Sequence, residues 1–407
     1  MSGRDPFARW LGDGYAPEVR RHVGFLTVVR LATNTCYRFT PPFVAIIARG
    51  FDISLTTIGL VLTVSEMSGF LGPVVGRLAD RLPRRRAMTV GLAGCGAGSW
   101  IAAASPSPVA LCAGITLISI AKMLFDLGMA GWMIDHVPYE RRGRVVGITE
   151  TSWAIALLVG VSSLGLVVAA GSWRGGYALA GVAVVIGAVA VRARMSHEPR
   201  PPRREDAGRG WPHGHAWAVP VTMFGLMCAS QCGFLTFGAW LEDRHGIGAA
   251  GIAAVGFGLG IVELGASTWS ARRTDAWGKE TSVALGAVLM VPAGLVLAVT
   301  HDSLLVGLVA LGAFFLGFEF AVVSLLPVAA QLVPGREGSG LGIVMAGATL
   351  GRGVMSIGAT WLYDAYGGLT WPAVAGAAWA ALATAAILGF HRRGGASRLL
   401  GAGAQPR

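Results

Sequence analysis

The apolar run that ends within residues 69–88, GFLGPVVGRLADRLPRRRAM, constrains the fold more than any other stretch of the chain. A run of about 20 predominantly apolar residues is long enough to cross the hydrocarbon core of a bilayer as a helix. Gly69, Gly72 and Gly76 recur along it, so a neighbouring helix can approach its backbone closely. The arginines behind it are typical of a cytoplasmic turn between two membrane helices. The sequence therefore predicts a helical membrane protein.

Similar apolar runs fill the rest of the chain. The composition agrees, because a soluble chain of 407 residues would need far more charged surface than 14% charged and 54% hydrophobic residues provide. The 60 glycines suit close helix packing in lipid. We predict an all-α polytopic protein of twelve transmembrane spans, at about 24–48, 57–79, 87–105, 108–134, 145–170, 174–192, 217–241, 249–271, 281–300, 303–330, 339–363 and 368–390.

The basic residues predict the orientation. With the N-terminus in the cytoplasm, the inner segments hold 26 of the 33 Lys and Arg residues, whereas the outer loops hold only Arg49, Arg174 and Arg244. This positive-inside bias predicts a multi-pass protein of the cytoplasmic membrane, the cell inner membrane, with both termini cytoplasmic. A net charge of +11 also occurs in nucleic-acid-binding proteins. We exclude that class, because the arginines lie in short loops and not on one face.

The long polar segment between spans 6 and 7 divides the chain. The predicted parts are a cytoplasmic tail 1–22, a six-helix bundle 23–192, a cytoplasmic linker 193–216, a second six-helix bundle 217–390 and a cytoplasmic tail 391–407.

The two bundles match one another in sequence. A shift of 195 residues places Asp80 on Asp275, and it also places Gly91 on Gly286. Chance matching among many glycines is the alternative to an internal repeat of six spans. Repeated six-span halves, each of two inverted three-helix repeats, build one major class of transporter, with the substrate site near the bilayer midplane.

Two motifs carry a family resemblance. The loop after span 2 contains Gly76, Asp80, Arg81, Arg84 and Arg85, and it resembles the signature G-x-x-x-D-R/K-x-G-R/K-R/K of the major facilitator superfamily. Pro83 replaces the glycine of that signature. The opening of span 4, AKMLFDLGMAG, resembles the second motif of the family, with Lys122 where arginine is usual and Asp126 where glycine is usual.

The resemblance implies a fold and a gating mechanism. It implies twelve spans in two pseudo-symmetric six-helix bundles. It also implies that the counterpart of Asp80 pairs with loop arginines and with a helix end in the other half, so that the loop latches one conformation. Asp275 is the matching acid of the second half. The alternative is that the loop arginines only set the topology.

Ionisable residues within the spans are the sharpest sign of function, because each costs about 2.5–3.5 kcal/mol at the centre of a membrane helix. They tend to face a polar cavity or one another. Carboxyl groups of this kind are natural proton carriers. We identify eight: Arg38, Glu66, Lys122, Asp126, Glu150, Glu263, Glu319 and Arg352.

We assign these residues to two roles. The proton-coupling candidates are Glu66, Asp126, Glu263 and Glu319, and the candidates for binding substrate or acting as counter-ions are Arg38, Lys122, Arg352, Asn34 and Gln231.

Several alternatives stay open. Lys122 and Asp126, four residues apart, either neutralise each other or serve a cavity. Arg38 precedes Pro41-Pro42, which should break span 1, and it either binds an anionic group or pairs with Glu66.

Two further alternatives concern Glu319 and Glu150. Glu319 and Arg352 either pair with each other or meet substrate. We expect Glu150, about one turn into span 5, near the membrane interface.

We predict a secondary active transporter that moves a small molecule by alternating access. We expect it to be proton-coupled and to export a drug or metabolite. The first alternative is an uncoupled facilitator or an importer of an organic anion, and the alternative of another class is a lipid flippase or other lipid-handling protein. The chain lacks local signatures of hydrolases and ATP-binding loops, so we expect no catalytic residue, no metal and no cofactor. The expected partners are substrate, protons and membrane lipid, without nucleic acid, and we expect a monomer.

Overall fold

The computed structural model describes residues 15–196, 211–212, 214–333 and 337–394, and regular secondary structure within them is helical throughout. The predicted architecture of twelve spans is confirmed. In order, the spans are Pro17–Arg38 with Val44–Phe51, Leu55–Met67 with Gly72–Arg81, Arg84–Ala103, Pro108–His136, Tyr139–Ile155 with Ser162–Ala170, Trp173–Arg194, Ala218–Phe234 with Phe237–His245, Ala249–Trp277, Lys279–Thr300, Leu304–Ala330, Glu337–Tyr366 and Thr370–Arg392.

Ten of these spans are long and apolar enough to cross a membrane by length and composition alone. The other two are spans 1 and 3. Span 1 carries charged residues along its first helix, and span 3 begins with three consecutive arginines. The predicted tails and linker lie largely outside the described residues.

Four spans are interrupted, and the sequence predicted only the first break. The helix of span 1 ends at Arg38, and a 3₁₀ turn at Pro41–Phe43 follows, because the two prolines cannot donate backbone hydrogen bonds. A 3₁₀ turn, Ser68–Leu71, interrupts span 2 just before Pro73, and Ala156–Val161 of span 5 is a π-helical turn. In span 7 the helix stops at Phe234 and a new helix begins at Phe237. Such turns often mark functional positions in membrane helices.

The arginine-rich loop is shorter than predicted. We expected span 3 to begin near residue 87, but its helix begins at Arg84, directly after Pro83. Pro83 has the extended backbone of a residue preceding a helix. Arg84 is consequently a buried helix residue and not a loop residue.

The described parts of the chain form two compact units. Of the described residues, unit 1 contains 15–40, 68–196 and 249–260, and unit 2 contains 41–67, 211–248 without 213, and 261–394 without 334–336. The predicted bundles differ from these units in two segments, residues 41–67 and 249–260. The division into bundles 23–192 and 217–390 stays a prediction.

Each unit contains one close helix crossing at a glycine of the predicted repeat. In unit 1, a Cβ atom added to Gly91 would lie 2.6 Å from the backbone nitrogen of Phe125 in span 4. In unit 2, a Cβ added to Gly286 would lie 2.6 Å from the carbonyl oxygen of Gly317 in span 10. The two positions related by the shift of 195 therefore make the same kind of backbone contact, which only glycine permits.

Candidate functional site

Unit 1 holds an ionic cluster from spans 1, 4 and 5. The Lys122 ammonium lies 2.5 Å from Asp126 Oδ2, one helical turn away on span 4. Arg30 Nε lies 3.3 Å from Asp126 Oδ1, and Arg30 Nη1 lies 2.8 Å from Glu150 Oε1. Arg30 Nη1 also donates to the carbonyl oxygen of Thr149. Arg30 therefore joins the acids of two different spans.

Arg30 was missing from the eight sequence candidates. Its signal is a spacing of four residues along span 1, because Arg30, Asn34 and Arg38 fall at i, i+4 and i+8 on one helix face. The Asn34 amide donates to Ser152 Oγ at 3.1 Å, so this face points toward span 5. Glu150, which we expected only near the interface, is 49% exposed and belongs to the cluster.

Aromatic rings continue the cluster along span 1. The Arg38 guanidinium lies 4.5 Å from the centre of the Trp153 ring, and Arg38 Nη1 donates to the Trp153 carbonyl oxygen at 2.9 Å. The Lys122 ammonium lies 5.6 Å from the ring centre of Tyr37 and 6.0 Å from that of Trp153. Both rings present their electron-rich faces to cations. The result is a polar surface with charged and flat aromatic parts.

Unit 2 holds a second ionic contact, between spans 2 and 11. Arg352 Nε lies 2.8 Å from Glu66 Oε2. Gln231 of span 7 donates to Ser356 Oγ at 2.9 Å, one turn after Arg352. Arg352 Nη1 also lies 3.7 Å from the sulfur of Met227. The structure thus brings the predicted Glu66, Arg352 and Gln231 together.

The other two predicted acids lie where spans 8 and 10 meet. Ser267 Oγ donates to Glu319 Oε1 at 2.6 Å, and Glu319 is buried. Glu263 is fully buried one turn before Ser267 on span 8. Among the proton-coupling candidates, Asp126 contacts Lys122 and Arg30, Glu66 contacts Arg352, and Glu319 contacts Ser267 of span 8.

The loop of the family signature is built around Arg84. Arg84 Nε lies 2.8 Å from Asp135 Oδ2, and Arg84 Nη1 lies 3.8 Å from Asp80 Oδ1. The guanidinium lies across Gly131, where an added Cβ would be 2.6 Å from it. Arg85 Nη1 donates to the carbonyl oxygen of Met195 at 3.2 Å and so covers the end of span 6.

The other gating-loop residues are more open. Asp80 is 81% exposed, and Arg81 and Asp275 are exposed as well, while Gly76 has nothing within 4 Å of an added Cβ. The gating role of the loop stays a prediction.

Ion pairs and hydrogen bonds form a network at the predicted outer ends of four spans, and the sequence did not predict it. Arg49 pairs with Glu242 and with Asp243, and Tyr363 donates to Asp243 Oδ2 at 3.0 Å. Asp364 Oδ2 accepts from the backbone nitrogen and the hydroxyl of Thr56 at 2.7 and 2.6 Å. Charges at span ends resemble ordinary loop charges, so nothing in the sequence indicated that these residues meet.

A further contact joins spans 2 and 11 within unit 2. Thr63 Oγ1 donates to the carbonyl oxygen of Gly353 at 2.8 Å. Residues 41–67 are therefore held to spans 7 and 11 at several points. Among the described residues, no group of three or more His, Cys, Asp or Glu side chains is placed to hold a metal ion.

Comparison with known proteins gives consistent results. A family model described as Major Facilitator Superfamily matches residues 25–324. The uncharacterized MFS-type transporter YhhS of Escherichia coli K12 is 29% identical over 225 residues, which are 50% of this chain and 52% of YhhS. The uncharacterized MFS-type transporter YwfA of Bacillus subtilis is 27% identical over 121 residues, 30% of this chain and 29% of YwfA. The chain thus spans about half or less of the length of these relatives.

Solved structures share the fold over nearly the whole chain. An inward-facing bacterial homologue of the human lysosomal transporter Spinster has a TM-score of 0.77, at 13% identity, over 95% of this chain and 98% of its own. A POT family transporter in complex with a thioalcohol-conjugated peptide has a TM-score of 0.75, at 14% identity, over 92% and 96%. The human organic anion transporter MFSD10 has a TM-score of 0.66, at 16% identity, over 92% and 100%.

Proposed function

The chain belongs to the major facilitator superfamily, and from this premise we propose that it is a secondary active transporter of the cytoplasmic membrane. It moves a small molecule by alternating access, is driven by protons and exports a drug or metabolite. It works as a monomer with both termini in the cytoplasm. The charge bias of the loops supports this orientation.

One observation carries the proposal: the ionic cluster of unit 1 is partly open although it lies on membrane helices. Arg30 is 12% exposed, Asp126 is 30% exposed and Glu150 is 49% exposed. Charged side chains that faced lipid at this depth would be costly, so their open sides face water or substrate. A polar surface on membrane helices is what a substrate pathway requires.

The charges of the cluster favour an anionic group on the substrate. Three cations, Arg30, Arg38 and Lys122, lie close together on spans 1 and 4, and a cationic surface of this kind attracts an anion. The rings of Tyr37 and Trp153 add flat apolar surface beside these cations. A small molecule with one acidic group and an aromatic or apolar body fits both features.

The uncoupled facilitator of an organic anion is the second candidate, and the ion pairs favour it. Asp126 lies within contact distance of two cations, and Glu66 contacts Arg352. Carboxylates held in this way serve as counter-ions that keep their cations in place. On this alternative the acids position Arg30, Lys122 and Arg352 and carry no protons.

Reconstitution in liposomes separates the two candidates. We would impose an inward-acid pH gradient and follow lumenal pH with a trapped dye, while adding pooled metabolites, amphipathic drugs and fluorescein as a model aromatic anion. Substrate-dependent pH change supports proton coupling, and its sign distinguishes antiport from symport. Substrate flux without pH change supports the facilitator.

Two variants test the binding surface in the same assay. Arg38→Gln should abolish fluorescein or substrate flux, whereas Arg244→Gln should not, because Arg244 pairs with Asp302 at exposed span ends. Equal flux in both variants would contradict the assignment of Arg38. If no pool of small molecules gives substrate flux and a fluorescent phospholipid moves between the leaflets, the small-molecule proposal is contradicted. That result would favour the lipid-handling alternative.

A further inference from the structure

Span 8 carries a polar stripe, of which only Glu263 was among the candidates identified from the sequence. Glu263, Ser267, Ser270 and Thr274 follow one another at spacings of four, three and four residues, so they share one helix face. The structure turns this face toward span 10. There Ser267 donates to Glu319 at 2.6 Å, as described above.

Two hydroxyl groups of the stripe form a closed ring with a hydroxyl group of span 10. Ser270 Oγ lies 3.0 Å from Thr274 Oγ1 and 2.9 Å from Ser324 Oγ of span 10, and Thr274 Oγ1 lies 2.8 Å from Ser324 Oγ. All three residues are buried. Each hydroxyl has one proton to donate, so three donors serve three bonds.

This ring differs from other hydroxyl groups on the spans. Thr222, Thr268 and Thr300 each donate to the backbone carbonyl four residues earlier, which fixes the direction of the hydroxyl proton. In the ring, either oxygen of each pair can be the donor. The three hydrogen bonds can therefore point around the ring in either direction, and all three are kept when the direction reverses.

The ring lies between the buried acids and one end of the spans. Ser324 is five residues beyond Glu319 on span 10, which is about 7.5 Å along the helix axis. Thr274 is three residues before the end of span 8 at Trp277, about 4.5 Å along the axis. This end is the one that the charge bias places in the cytoplasm.

We infer that the stripe is the route by which a proton moves between Glu319 and the cytoplasm, an inference that rests on the proton coupling proposed above. Each hydroxyl oxygen accepts a proton as it passes its own to the next oxygen, so no hydroxyl gains or loses a proton overall. Cytoplasmic water supplies or takes up the proton at Thr274. The route requires one or two waters between the ring and the pair of Ser267 and Glu319.

The test follows protonation of Glu319 without any substrate. After a rapid acid jump on the purified protein in detergent, infrared spectroscopy records the band of the protonated carboxyl group. Glu319→Gln identifies this band by removing it. In the combined variant Ser270→Ala, Thr274→Val, Ser324→Ala, we expect the band to reach its normal size but to form about 10²-fold more slowly.

Matched variants separate a proton route from a structural contact. Thr268→Val removes a hydroxyl from the exposed side of the same span, and the combined variant Ser270→Thr, Thr274→Ser, Ser324→Thr keeps all three hydroxyl groups. Both should form the band at close to the wild-type rate. A lower melting temperature with an unchanged rate would overturn the route and leave the ring as a link between helices.

The proton route and the proton coupling are tested by different results. The route alone is overturned if the Glu319 band forms at the same rate in the wild-type protein and in the variant without the three hydroxyls. A carboxyl band that never appears on acidification, together with substrate flux that moves no protons, contradicts the coupling itself and overturns the inference with it.

Discussion

The ionic cluster of unit 1 and the stripe between spans 8 and 10 show two ways of holding acids inside membrane helices. In the cluster, Asp126 and Glu150 are held by the cations Lys122 and Arg30, and the groups stay partly open. At the stripe, Glu319 of span 10 is buried and accepts a hydrogen bond from Ser267. Charges held by countercharges suit recognition of a charged molecule, whereas buried acids within membrane spans often belong to proton relays.

Removal of Arg30 should have the largest effect, because it leaves two acids without their shared cation. We expect Arg30→Gln to reduce transport to background and to destabilise the protein by less than the about 3–5 kcal/mol of a broken buried pair, since Glu150 is half exposed and Asp126 keeps its contact with Lys122. Thermal unfolding and liposome flux measure the two effects. The double variant Arg30→Gln, Asp126→Asn should recover part of the stability, and stability unchanged in the single variant would contradict the shared role of Arg30.

Neutralisation of an acid should affect the two regions differently. We expect Glu319→Gln to abolish substrate-dependent pH change while it keeps exchange of substrate across liposomes with equal concentrations on both sides, because exchange needs no net proton movement. Asp126→Asn should impair both, since it disturbs Arg30 and Lys122. Parallel loss of both activities in Glu319→Gln would remove the distinction between the cluster and the stripe.

The outer network should have a smaller effect, because its groups are more exposed. Arg49 and Asp243 are each 49% exposed, and exposed pairs contribute about 0–1 kcal/mol. We expect Arg49→Gln to change the transport rate several-fold without loss of stability. We also expect the wild-type rate, but not that of the variant, to depend on salt. The same salt dependence in both proteins would show that the network does not hold the outer ends.

Substitution of Gly131 should have the smallest effect. An added methyl group would meet the Arg84 guanidinium, which is the end of a flexible side chain and can move. We expect Gly131→Ala to fold and to shift the melting temperature only slightly. Gly91→Ala would instead meet the backbone of span 4 and should destabilise the protein strongly. Similar melting temperatures for the two variants would contradict the backbone contact at Gly91.

Much of the site could be predicted from residue type and depth alone. Lys122 and Asp126 lie one helix turn apart, and the structure pairs them, as expected if they neutralise each other. Partners on different spans could not be predicted in this way. Glu66 contacts Arg352, 286 positions away, and the serines of the stripe look like ordinary small residues until span 10 faces them.

The sequence by itself determined the number of spans, their class and the break after Arg38. These follow from local physics, because apolar length, the placement of arginines and the missing donors of proline act along a single segment. Only the tertiary structure decided which charges meet, where the hydroxyls of spans 8 and 10 close into a ring, and how Arg49 reaches Glu242 and Asp243. Those contacts depend on the rotation and depth of one helix against another, which close packing between spans fixes and a single helix does not encode.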